Sequence, residues 1–406
     1  MDDVDLGILI IPLVACVAPL LATLVRRAVM VPLVVFEIAL GMLVGPDGLG
    51  WVSETAFMTT LSQLGLAMLF FMAGNEIDPT ALRGRTGRRS IAGWALSAAL
   101  AVAAAAVLGD GVASAAIIAI ALTGTALGTI MPALRDSGIA RTPLGATIGA
   151  AGAIGEFLPL VAVSVLLSGR QPVVGVIVLC LFVAIAASAF WIASRGPHQW
   201  LRRMVSATLH TSGQFGVRFV VLLVAALVCL ALALGVDFLL GAFTAGMLAR
   251  VVLQDGDPEE LRVIEAKLDS IAFGFFVPVF FVTTGISFPL ARLLADPATL
   301  VLVPVFAGVM LLVRGIPGLL VPAPGTTLSD RRTAALFTAT TLPLVIAVTQ
   351  IGADQGLLEE STAAAMVGGA MLTVLFFPLL ALLGRHDEAP AATTDADAPF
   401  PFEAHE

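Results

Sequence analysis

Polar positions in this chain are gathered into short clusters, and between them lie apolar blocks long enough to cross a hydrocarbon layer as helices. Thirteen such blocks can be drawn, at roughly 6–25, 29–45, 56–74, 90–109, 112–134, 143–168, 172–194, 216–235, 236–252, 270–288, 297–321, 333–352 and 360–383. The pattern predicts an all-α polytopic membrane protein of about 13 transmembrane helices. The sixth block, PLGATIGAAGAIGEFLPLVAVSVLLS (143–168), carries one carboxylate, Glu156, at its midpoint. A lone acid at that depth costs at least ~2.5 kcal/mol to insert, so it is expected to face a bundle interior or a wet cavity. Gly145, Gly149, Gly152 and Gly155 strip one face of this helix and let neighbouring backbone approach. Pro159 has no N–H, so the carbonyl of Gly155 loses its helical partner beside the acid. A carboxylate next to a freed carbonyl suits a hard cation or a proton.

Two further patterns organise the blocks. Loops after odd-numbered helices hold seventeen Arg and Lys residues, from Arg26 and Arg27 to Arg331 and Arg332, against two, Arg170 and Arg292, after even-numbered ones. Basic residues collect on the cytoplasmic side, which places the N-terminus outside and, with an odd helix count, the C-terminus inside. Helices seven apart also resemble one another: FFMAGNEIDP (70–79) pairs with FFVTTGISFP (280–289), and TGTALGTIMP (123–132) with TATTLPLVI (338–346). An odd offset inverts the matched helices, so the expectation is two inverted repeats, 6–168 and 216–384, joined by a linker helix at 172–194. Pro132 and Pro343 each remove a mid-membrane backbone hydrogen bond in helices 5 and 12, beside Thr123, Thr125, Thr129, Thr340 and Thr341. Such breaks are tolerated where the loosened backbone lines a cavity or is buried in protein.

Composition narrows the partners. The chain is 59% hydrophobic and 12% charged, with a mean hydropathy of +1.02, too little polar surface for a water-soluble globule. The net charge of -8 reflects loop and tail acids and suggests no nucleic-acid partner. Cys16, Cys180 and Cys229 lie in apolar spans without metal-ligand spacing, so they are expected to be inert core residues, with no disulfide and no metal site. The first block follows an acidic start and reads as a retained helix, not a signal peptide. Residues 255–269 are amphipathic, read as a surface link into helix 10, and 385–406 are acidic and rich in Ala and Pro, read as a disordered tail.

The runs VPLVVFEIALGMLVGPDGLGWV (31–52), LGLAMLFFMAGNEIDPTALR (64–83) and FGFFVPVFFVTTGISFPL (273–290) resemble the second-, third- and tenth-helix signatures of the cation:proton antiporter superfamily, in its bacterial second branch. The resemblance covers about residues 6–384. It implies a thirteen-helix fold in which a dimerising scaffold domain holds a mobile core with two crossed, broken helices, here 5 and 12. It places the transport acid at Glu156, where the family has an aspartate, and puts Gly155 where other members carry aspartate or asparagine. Thr125 matches the threonine at the break of helix 5, and Arg314 matches the family's basic residue in helix 11. The candidate ion- and proton-binding set is therefore Glu156, Gly155, Thr123 and Thr125. Arg314 is the charge partner, and Pro132, Thr340, Thr341 and Pro343 line the broken helices.

Arg314 is expected to neutralise Glu156 or the freed carbonyl ends of the broken helices, and a guanidinium cannot itself give up a proton. Glu37 in helix 2 is a secondary candidate with a helix-bridging role, Asp237 reads as a cap, and Gln63 and Gln350 read as helix bridges. His198, His210, His386 and His405 lie in loop or tail. Ser164 and Ser188 have no base nearby in sequence, so no intramembrane enzyme is indicated, and no cofactor is expected because no nucleotide-binding sequence follows helix 13. The resemblance implies a homodimer in a bacterial-type plasma membrane, exchanging Na+ or K+ for H+. One titratable carrier predicts electroneutral exchange by alternating access. A cation channel or uniporter of the same fold, or a sodium-coupled organic-anion carrier, is the alternative.

Overall fold

The computed structural model describes residues 7–383 apart from 26–30, 78–83, 168–169, 195–203, 205–206, 209–212, 255–257, 296 and 324. The four histidines and the segment 385–406 lie outside the described residues. The first four helices are α1 (Gly7–Val25), α2 (Leu33–Val44), α3 (Ala56–Glu76) and α4 (Gly84–Leu108). The fifth apolar block forms two half-helices, α5a (Val112–Leu122) and α5b (Leu127–Asp136), and is followed by α6 (Pro143–Leu166). Then come α7 (Pro172–Ser194), α8 (Phe215–Leu234) and α9 (Phe238–Gln254). The tenth block is a long rod, α10, in which Pro258–Ile271 runs through a π-helical turn, Ala272–Phe276, into Val277–Ile286. The amphipathic stretch is thus an extension of α10 rather than a separate link. Likewise α11 comprises Pro297–Met310, a π turn at Leu311–Gly315, and Ile316–Leu320. The twelfth block is split into α12a (Leu328–Ala339) and α12b (Pro343–Asp354), and α13 (Glu360–Leu383) completes the bundle.

Eleven of these segments are long and apolar enough to span a membrane, α5a–α5b and α12a–α12b each counting as one, and α2 and α9 are shorter apolar helices. The chain is a multi-span, all-helical membrane protein. Both π turns end just before a proline, Pro278 or Pro317, whose missing N–H removes the α-helical bond that would have tightened the turn.

Close helix approach is bought with small residues, because in lipid the helices gain little from apolar burial and must pack backbone to backbone. A Cβ on Gly74 of α3 would collide with the carbonyl of Phe243 in α9, and one on Gly246 would collide with the carbonyl of Phe71. The halves of α5 and α12, together with α6, form the centre, with Ile117, Ile118, Leu122, Leu342 and Val345 fully buried. Helices α1, α7 and α8 present apolar residues outward, among them Leu20, Val173, Ile177 and Leu222. Cys16, Cys180 and Cys229, expected in the core, are exposed on these three helices. The outer face of a lipid-facing helix is itself apolar, so hydrophobic surroundings in sequence do not distinguish core from lipid.

Candidate functional site

The two interrupted helices meet at their breaks. A broken helix leaves carbonyls unpaired at the end of its first half and N–H groups unpaired at the start of its second. Here each break supplies part of what the other lacks. The Ala126 N–H donates to the Thr340 carbonyl (2.9 Å), and the Thr125 hydroxyl donates to the Thr338 carbonyl (2.6 Å). Thr123 and Thr340 turn their hydroxyls back onto Ile120 (2.8 Å) and Leu336 (3.0 Å), closing the last turns of α5a and α12a. Pro343 occupies the first turn of α12b, where a missing N–H costs nothing. Pro132 is placed differently. It lies inside α5b, several residues beyond the break at 123–126, so the interruption of α5 is held by tertiary hydrogen bonds and not by its proline.

Helix α6 crosses this pair. The carbonyl of Gly155, released by Pro159, is not left open: it accepts the Thr125 N–H at 3.1 Å. One residue on, Glu156 is 2% exposed, and the Leu127 N–H at the positive start of α5b faces its carboxylate. Its second oxygen, Oε2, is buried without a hydrogen-bond partner. The Phe157 ring stacks on Phe243 of α9, 5.7 Å between centroids, and covers the neighbouring surface.

Arg314 lies on the π turn of α11, 3% exposed, and no ion pair joins it to Glu156. Its guanidinium reaches Thr125 Oγ1 through Nε (3.0 Å) and Nη2 (2.5 Å), Ser97 Oγ of α4 through Nη1 (3.2 Å), and the Ala151 carbonyl through Nη2 (3.4 Å). Thr125, which the guanidinium holds, donates in turn to the Thr338 carbonyl at the negative end of α12a. Gly155 makes this seat. A Cβ there would run into Arg314 Nη2 and lie 2.8 Å from Thr125 Oγ1. Thr125 is thus the hub of the crossing, accepting from Arg314 and donating across to α12a. Thr125→Val is expected to lower stability by about 1–3 kcal/mol, the range for leaving buried partners unsatisfied, with Thr125→Ser close to wild type. Thermal unfolding in detergent measures both.

Three residues at or near the site are not singled out by hydropathy. Ser97 is a small polar residue in an Ala-rich helix. Thr373 of α13 binds the backbone of Thr341, its hydroxyl accepting the N–H at 3.1 Å. Glu76, at the last position of α3, has a side chain only 6% exposed and pairs with Arg135 of α5b at 3.2 Å. Its Oε2 has no partner, and it lies within electrostatic reach of Glu156. The signal for Glu76 was present in FFMAGNEIDP, where an acid follows directly on an apolar span, but at a helix end it reads as an interfacial charge.

The remaining candidates are dispersed. Glu37 is buried on α2, one turn before Gly41, which packs on the Val282 carbonyl of α10. Asp237 caps α9, its carboxylate accepting the Leu239 N–H at 2.9 Å, and its own N–H bonds Ser164. Ser188 bonds only the Ala184 carbonyl. Gln63 and Gln350 both face a cavity of about 400 Å³ between α3, α10, α12b and α13, at the end of the bundle opposite Arg135. Its lining includes Glu54, Thr283, Thr349 and Asp354, and it does not reach Glu156. Among the described residues no cluster of metal-ligating side chains occurs.

The family model for the transmembrane part of sodium/hydrogen exchangers matches residues 13–382. The chain belongs to the sodium/hydrogen exchanger family. The putative Na(+)/H(+) antiporter YjbQ of Bacillus subtilis is 25% identical, the match covering 95% of this chain and 64% of YjbQ. The Na(+)/H(+)-K(+) antiporter GerN of Bacillus cereus is 27% identical over 63% of this chain and 65% of GerN. An Na(+)/H(+) antiporter of Enterococcus hirae is 22% identical, with 92% and 96% covered. The matched part of this chain spans a little under two thirds of the length of YjbQ and GerN. The structure of the sodium proton antiporter MjNhaP1 from Methanocaldococcus jannaschii has the same fold, with a TM-score of 0.63 at 15% identity, 94% of this chain and 96% of that one covered. Membership in the exchanger family bears out the resemblance drawn from the three helix signatures.

Proposed function

We propose that this exchanger carries a monovalent cation, Na+ or K+, against H+, with Glu156 as the one group that binds either. The observation that carries the reading is the state of its carboxylate: buried at the crossing, faced by the Leu127 N–H, and with Oε2 unpartnered and unpaired to Arg314. A buried charge left in that condition is costly, and either a proton or a small cation relieves it. The two ligands then compete for one site, which is antiport. The bare carboxylate resists passage across the apolar interface, whereas the protonated or cation-loaded form is neutral and passes, giving alternating access of a core containing α5, α6 and α12 against the remaining helices.

Arg314 supports one-for-one stoichiometry. Its guanidinium holds Thr125, Ser97 and Ala151, stays protonated, and fills the space a side chain at position 155 would need. No second titratable carrier then adjoins Glu156 within the crossing, and the exchange is electroneutral. In the orientation read from the loops, Glu76 and Arg135 are cytoplasmic, and Glu76 stands at the inner entrance to Glu156. Glu76→Gln is expected to raise the half-saturating cation concentration about three- to tenfold by removing roughly 1 kcal/mol of attraction. Titrating cation-induced dequenching of a pH dye in proteoliposomes measures it, and an unchanged value would remove Glu76 from the path.

A further inference from the structure

The break of α12 is held differently from that of α5. On the α5 side the support comes from α6, through the Gly155 carbonyl and the Glu156 carboxylate. On the α12 side, beyond the bonds it shares with α5, the break is held from α13 by Thr373: its hydroxyl accepts the Thr341 N–H at 3.1 Å, and its single proton is shared between the Ala370 carbonyl (2.7 Å) and the Thr341 carbonyl (3.0 Å). In the inverted repeat α13 is the mate of α6, so a neutral hydroxyl stands in the second repeat where the acid stands in the first. Thr373 is fully buried.

What Thr373 holds in place is a second open polar atom. Thr341 Oγ1 is buried and has no partner. It is directed at the α5 break, since a Cβ on Gly124 would lie 3.0 Å from it. With Glu156 Oε2 it makes two unpartnered oxygens at the crossing. We infer that Thr373 is a positioning residue for transport, fixing the α12 break so that the Thr341 hydroxyl is presented to the monovalent cation as it passes the crossing. The inference rests on the antiport reading above. Thr373 itself does not touch the ion and acts through Thr341.

The test is cation-dependent proton flux in proteoliposomes for wild type, Thr373→Val, Thr373→Ser, Thr341→Val and the Thr373→Val/Thr341→Val pair. Thr373→Val is expected to raise the half-saturating cation concentration roughly tenfold while the maximal rate is kept, the size of one lost polar contact to a charge. Thr373→Ser restores the wild-type value. Thr341→Val, which touches no backbone bond, shows the same rise by itself, and the double variant is no worse than Thr341→Val because the two act in series. An unchanged half-saturating concentration in Thr341→Val, additive effects in the pair, or failure of Thr373→Ser to restore would overturn the inference while wild-type flux persists. Absence of cation-dependent flux in wild type overturns the antiport reading and this inference with it.

Discussion

Glu156→Gln is expected to reduce cation-driven proton movement to that of protein-free vesicles while leaving the protein folded. Glutamine matches the carboxylic acid in shape and can keep the contact with the Leu127 N–H, so packing around α6 survives. What is lost is the charge: an amide neither releases a proton nor neutralises a cation, and the exchange has no carrier left. Removing a buried ionisable group that lacks a full set of partners is also expected to leave the melting temperature unchanged or slightly higher. Dequenching of an entrapped pH dye on adding Na+, K+ or Li+, read beside a thermal melt of the same preparation, separates lost transport from lost fold. Flux that survives the substitution would shift the carrier to another acid, and Glu37, buried on α2, is the next to test.

The largest effect on stability is expected at Gly155. A methyl group there enters the volume of the Arg314 guanidinium, which then loses some of its bonds to Thr125, Ser97 and Ala151. Stranding a buried charge costs about 3–5 kcal/mol, enough to unfold a marginal bundle. Gly149 is the internal control, two turns earlier on the same helix, where an added Cβ meets nothing within 4 Å. Gly149→Ala is expected to be neutral or to stabilise by up to ~1 kcal/mol, since alanine is the better helix former. Thermal unfolding of the two variants in one detergent decides the matter, and equal melting temperatures would contradict the assignment of Gly155 as the seat of Arg314.

Much of the fold could be read from the chain because membrane helices announce themselves by length and hydropathy. The interruptions of helices 5 and 12 followed from paired Thr-rich stretches at a fixed repeat offset, their crossing from the family resemblance, and Glu156 from its isolation at mid-span. The misses share a physical cause. Pro132 marked the right helix but not the break, because the interruption of α5 is made by hydrogen bonds from α6 and α12, which leave no local mark. The carbonyl freed by Pro159 was legible, but its use by the Thr125 N–H was not, since the partner lies thirty residues away. Arg314 was recognisable as a buried charge, yet its seat depends on a glycine in α6 and a serine in α4 that only the packed structure brings together. The cysteines failed for the opposite reason: core and lipid are equally apolar, and no one-dimensional pattern separates them.

The central claim, one carboxylate exchanging one cation for one proton, is tested most directly by measuring both fluxes in the same sealed proteoliposomes. Labelled sodium or rubidium uptake is recorded with the internal pH, with the membrane voltage set to zero and then to an imposed potential. The account predicts equal and opposite movement of cation and proton, at a rate the potential does not change. Cation flux that follows the voltage, or that proceeds without reciprocal proton movement, would contradict it and point to a uniporter or channel on the same fold.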